Sequence, residues 1–131
     1  MAYRLVDNPD PSIDLQALLD WGIDLCKKLA VPISKHVTLG GVCKRMDFLA
    51  ATDRFARNRF TITISTLAYK SYKHNTKKWQ DLILHELLHT VRGCYNHHYK
   101  WKYWALYLNY FAGRRISPYP YSDKMADEGL D

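Results

Sequence analysis

The feature that most constrains this chain is an acidic side chain inside a greasy helix. Trp79 to Val91 is apolar on most sides at helical spacing, which places the segment at the centre of a fold. Glu86 interrupts that run. A carboxylate buried among leucines is costly unless a cation or hydrogen-bond donors meet it. The chain holds only two glutamates, Glu86 and Glu128, so this acid is no sample of a charged surface. His85 and His89 flank it and complete the pentapeptide His85-Glu86-Leu87-Leu88-His89, an HExxH pattern. Residues i and i+4 lie one turn apart on one helix face, so two imidazoles can converge on one cation. The adjacent carboxylate can then reach a water at that cation without ligating it. Random placement of this composition yields the pattern in roughly 0.4% of chains.

A catalytic zinc takes three protein ligands and leaves a position for water. Elimination narrows the third. Gly three residues and His six residues after the second histidine would mark one large class of zinc peptidases, but Arg92 and Tyr95 stand there. A downstream glutamate would have to be Glu128, in a Pro-containing acidic segment. Cys94 is close, on the connecting turn. His97 and His98 remain. If a helix runs from His97 to Ala112, its core stripe of Trp101, Trp104, Ala105, Leu108, Phe111 and Ala112 shares a face with His97, and His98 points sideways. The expected site is therefore His85, His89 and His97 as Zn2+ ligands with Glu86 as catalytic base.

The surrounding pattern is α+β. Asp10-Pro11-Ser12 reads as a helix start, followed by Leu15, Leu18, Leu19, Leu25, Cys26 and Leu29 on one stripe over residues 12–30, with Pro32 as the stop. Val37, Leu39 and Val42 around Gly40-Gly41 predict a strand with a bulge. Residues 48–52 predict a second strand, 53–58 a turn, and Phe60, Ile62 and Ile64 alternating with Thr61, Thr63 and Ser65 a half-buried third. A small antiparallel sheet of about three strands follows. Asn75 or Thr76 caps the HExxH helix and Gly93 ends it; Gly113 ends the last helix. At 131 residues this is one domain, expected over 1–116, with an acidic, Pro-containing tail over 117–131.

Charge and cysteine usage narrow the setting. The net charge is +6, and residues 117–131 carry four acids against Lys124, so the rest carries +9. A basic body suits anionic partners, nucleic acid included, and Lys70, Lys73, Lys77, Lys78, Lys100 and Lys102 bracket the expected metal helix. Cys26, Cys43 and Cys94 form no paired framework. With no apolar leader and no stretch approaching a membrane span, a cytoplasmic protein is expected.

The run from His85 to Trp101 resembles the SprT-like metallopeptidase family, which includes Spartan. The shared pattern is HExxH, a short linker, a histidine (His97), and an aromatic residue four positions on (Trp101). The chain particularly resembles the small phage and bacterial members with a Gly-Cys-x-Asn-His segment, which Gly93-Cys94-Tyr95-Asn96-His97 matches. Gly40-Gly41-Val42-Cys43 resembles the family's Trp-Gly-x-Cys strand, and residues 60–65 its Ile-x-Ile strand. The likeness covers roughly residues 12–112. It implies a zincin-like fold, the ligands His85, His89 and His97, and Glu86 as base. His98 stands where the family usually has glycine, and Gly40 where it often has an aromatic. No CxxC pair is present, so a DNA role carried by a zinc-ribbon tail does not transfer.

Two functions of different class are compatible with these residues. One is an endopeptidase acting on protein or peptide segments, with a zinc-activated water. The other is a zinc-stabilised module that binds nucleic acid or a protein partner without turnover. A purely structural zinc would need a fourth ligand, such as Cys94 or His98. For the oxyanion donor that hydrolysis requires, Tyr95, Tyr99, Tyr103, Tyr107, Arg92 and Arg114 are all candidates.

Overall fold

The computed structural model describes residues 3–117; the acidic segment from 118 onward lies outside them. Four helices surround a four-stranded mixed sheet. In chain order the elements are β1 (Leu5–Val6), α1 (Leu15–Lys28), β2 (His36–Cys43), β3 (Ala50–Ala56), β4 (Arg59–Ser65), α2 (Thr66–Tyr72), α3 (Thr76–Leu88) and α4 (Tyr99–Ala112).

The sheet order is β1-β2-β4-β3. This corrects the expected three-stranded antiparallel sheet. The hairpin β3–β4 is antiparallel, but it inserts β4 beside β2, and that pair runs parallel, Val37 opposite Phe60 and Val42 opposite Ile64. The register slips between Leu39 and Gly41, the bulge that Gly40-Gly41 signalled. As an inner strand, β4 is covered more fully than a half-buried strand. Phe60, Ile62 and Ile64 are buried, and so are Thr63 and Ser65. β3 starts two residues later than expected and extends to Ala56, so the turn contracts to Arg57-Asn58, with Asn58 left-handed at φ 61°.

Helix boundaries shift for identifiable reasons. The side chain of Asp14, not Asp10, caps α1, accepting from the Ala17 amide; Asp10 instead closes a turn onto Ser12. The helix stops at Lys28, before Pro32, because Ala30 turns left-handed and the Val31 amide folds back onto the Cys26 carbonyl. Helix α2, absent from the sequence reading, follows β4 directly, and the Ser65 hydroxyl accepts from the Leu67 amide at its start. Asn75 caps α3 as expected.

Helix α3 runs through the centre, in contact with α1, β3 and α4. Its residues Ile83, Leu84, Leu87 and Leu88 are fully buried with Leu19 of α1, Ile62 and Ile64 of β4, and Trp101 and Leu108 of α4. Gly22 sets the spacing of α1 against α3. A Cβ there would stand 2.7 Å from Leu87 Cδ1 and 2.8 Å from Ile83 Cγ2, so only glycine permits this approach. In α4, Trp101, Ala105 and Leu108 face the core, but Phe111, expected in that stripe, is exposed. Gly113, left-handed at φ 63°, ends α4 as expected.

Candidate metal centre

Helix α3 ends at Leu88, one turn earlier than expected, and His89 is its C-cap. His89 keeps right-handed backbone angles (φ −67°, ψ −13°), so the i, i+4 relation to His85 survives the helix end. The chain then turns sharply. Gly93 takes φ 84°, the Cys94 amide bonds the Val91 carbonyl, and the Asn96 side chain accepts from the His98 amide. This compact turn brings His97 back over the end of α3. Helix α4 begins only at Tyr99, with His98 as N-cap. His97 thus enters from a turn, not from the helix face that the periodicity assumed.

The three ring nitrogens meet. His97 Nε2 lies 2.9 Å from His85 Nε2 and 3.1 Å from His89 Nε2. All three histidines are buried, and together they form a group that can hold a metal ion. Their protonation fits that role. His89 Nδ1 lies 2.9 Å from the Cys94 carbonyl oxygen, which can only accept, so Nδ1 carries the proton and Nε2 keeps its lone pair. Burial, and then the neighbouring His89 and His97, push the His85 pKa well below its ordinary value, so it stays neutral. Converging neutral nitrogens repel unless a cation or a shared proton lies between them. Tetrahedral zinc spaces nitrogen ligands about 3.4 Å apart. The observed separations are a few tenths of an ångström shorter, so the donor set fits with small side-chain adjustments.

Trp101 floors the cluster. It is 0% exposed, with its ring centroid 4.7 Å from that of His85 and 4.8 Å from that of His97. An indole beneath three imidazoles limits their rotation and keeps water from below.

Glu86 is 0% exposed, and its Oε2 lies 3.9 Å from His85 Nε2, in electrostatic reach but not hydrogen-bonded. Its other oxygen is held by a residue the sequence reading missed. Thr52 Oγ1, on β3, lies 2.7 Å from Glu86 Oε1 and 3.1 Å from the Glu86 carbonyl oxygen. The hydroxyl has one proton, and the shorter contact, to the carboxylate, takes it. The signal available in sequence was indirect: a buried acid needs a donor, and a strand with a hydroxyl on its inner face can supply one.

Cys94 is buried outside the histidine group, and burial raises its thiol pKa, which disfavours a thiolate ligand. His98 is exposed. Among the described residues no fourth histidine, cysteine or carboxylate joins the three nitrogens. Several oxyanion candidates are engaged elsewhere. The Tyr107 hydroxyl donates to the Leu29 carbonyl, and Arg114 pairs with Asp81 at 2.8 Å. Tyr99 and Tyr103 point to solvent. Tyr95 and Arg92 stay on the turn beside the cluster. The lysines do not gather at the site: Lys77 and Lys78 sit at the far end of α3, and Lys100 Nζ bonds the Arg92 carbonyl.

No protein-family model matches the chain, and no curated protein or solved structure matches it either. No helix of the described residues is long and apolar enough to cross a membrane.

Proposed function

We propose that this chain is a zinc-dependent endopeptidase of the SprT-like kind, with a zincin-like fold. The observation that carries the reading is the convergence of three buried histidine nitrogens beside a carboxylate that accepts from the Thr52 hydroxyl. His85, His89 and His97 would hold the ion. Bound there, zinc supplies Lewis acidity, which makes water nucleophilic near neutral pH and polarises a carbonyl.

The chain's own residues do the remaining work. Glu86 accepts the proton of the attacking water as the new C–O bond forms, and returns it to the amine nitrogen as the C–N bond breaks. Products are a carboxylate and an amine. Thr52 fixes one carboxylate oxygen, and the other lies 3.9 Å from His85 Nε2, on the side of the histidine group where the reacting water would sit. Trp101 and the leucines of α3 keep bulk water away from the histidines, which strengthens each charge interaction at the site.

The proposal is tested by incubating zinc-loaded protein with an unfolded protein substrate. Cleavage should stop with a chelator and return with added zinc. Cleavage that persists after the metal is removed would contradict it. A second reading, a metal-stabilised binding module without turnover, draws on the complete burial of Glu86. It differs in one outcome: the zinc-loaded protein binds its partner and cuts nothing.

A further inference from the structure

Strand β3 carries more of the site than Thr52. Side chains alternate along a strand, so Arg54 faces the same side as Thr52, about 7 Å further along. The register supports this placement. Thr52 is paired with Ile62 and Arg54 with Phe60, both of which point into the α3 side of the sheet. The Phe60 ring lies tilted against the ring of Tyr95, centroids 5.9 Å apart, and the Arg54 guanidinium sits 5.1 Å from the same Tyr95 ring. Tyr95 directly follows Cys94, whose carbonyl orients His89. A chain of contacts therefore leads from the buried histidines and Glu86, through Thr52 and Tyr95, out to the exposed Arg54.

Arg54 is exposed, and among the described residues no carboxylate pairs with it. Its sequence neighbour Asp53 lies on the opposite face, beside Tyr3. A guanidinium seated on an aromatic ring is held in one plane, with its N–H edge turned outward. That edge matches a carboxylate in bidentate fashion, which a lysine could not do.

Building on the peptidase reading, we propose that Arg54 on Tyr95 is the selectivity element of the site, and that it takes an Asp or Glu side chain of a peptide lying beside Glu86. The preferred substrate class is then an extended acidic segment.

The test uses fluorescence-quenched peptides in which Glu, Gln or Lys is placed in turn at each position around one scissile bond. At the best position the wild type should favour Glu over Lys by about tenfold in kcat/KM, the scale of one partly exposed charge pair gained and one repulsion avoided. Arg54→Gln should bring the ratio near one, and Arg54→Glu should invert it. Tyr95→Leu, which keeps the charge but removes its seat, should lower the ratio partway. The same peptides are titrated by anisotropy onto zinc-loaded Glu86→Gln protein, with and without Arg54→Glu, so selectivity is read without turnover. If peptides bind with an Arg54-dependent preference but are never cut, the selectivity stands and the peptidase reading falls. If they are cut with a ratio that Arg54→Glu leaves unchanged, the peptidase reading stands and this proposal is overturned. If neither binding nor cleavage discriminates, the proposal is also overturned.

Discussion

Replacing Thr52 with valine removes one hydroxyl and keeps the shape, and its effect can be worked from the contact it deletes. Thr52 Oγ1 donates to Glu86 Oε1 at 2.7 Å, and Glu86 is completely buried. A hydrogen bond to a charged group is worth about 1.5–3 kcal/mol, so its loss from the base corresponds to roughly 10- to 150-fold in rate. Thr52 itself is only half-buried, so a water can replace part of the interaction, which favours the lower end, about tenfold. The loss should fall on kcat, because the bond positions the base and does not touch substrate; KM should change less than about twofold. Zinc stoichiometry should stay at the wild-type value, since no ligand is altered. Thr52→Ser should restore most of the rate, because it keeps the donor and loses only a methyl group. Steady-state kinetics on one peptide, with metal analysis of each variant, decides the matter. If Thr52→Val leaves kcat intact, or Thr52→Ser is as slow as Thr52→Val, the hydroxyl does not position Glu86 and the account of the base is wrong.

Three further expectations follow from the same contacts. His97→Ala should lose zinc and His98→Ala should retain it, measured as bound metal per chain after dialysis; zinc retained by His97→Ala would remove His97 from the ligand set. Gly22→Ala should destabilise the fold by up to about 2 kcal/mol in urea melts, because overpacking at the tight α1–α3 contact (about 1–3 kcal/mol) is offset only in part by alanine's helix preference of about 1 kcal/mol; a stabilised variant would mean that the helices separate freely. The metal-free protein should lose stability as the pH falls below about 6.5, by up to about 1.4 kcal/mol per pH unit for His85, because the folded state lowers that pKa and the unfolded chain takes up the proton first; above about 6.5 this contribution is complete and flat. A flat profile between pH 6.5 and 5 in chelator would contradict a neutral, buried His85.

What could be read from sequence was the part with local causes. The HExxH spacing depends only on helix pitch, so the approach of His85 and His89 was legible, and so were the Asn75 cap and the Gly40-Gly41 bulge. His97 does join the group of histidines that can hold a metal ion, but the helix expected to carry it does not reach it: the side chain arrives through the turn at Gly93 to Asn96. Between Asp10 and Asp14 the choice of cap was decided by which residue preceded the buried stripe, and both fit the local pattern. The parallel pairing of β2 with β4 was not legible, because alternation within a strand does not say which strand lies beside it. Thr52 was missed for a related reason. Its partner is 34 residues away in sequence, and only the sheet order brings the two together. Phe111 has the periodicity of a core residue but lies in the last turn of α4, where it meets the rings of Tyr107 and Tyr110 and stays largely exposed.

The central claim is that Glu86 moves protons in a metal-dependent hydrolysis. Glu86→Gln tests it most directly, because the amide keeps the size and can still accept from Thr52 but cannot take up a proton. Bound zinc and the cleavage of an unfolded protein are measured on the same preparation. The account predicts zinc at the wild-type level and cleavage reduced at least about 1,000-fold, on the scale of general-base catalysis together with lost positioning. Wild-type cleavage by a zinc-loaded Glu86→Gln protein would contradict it.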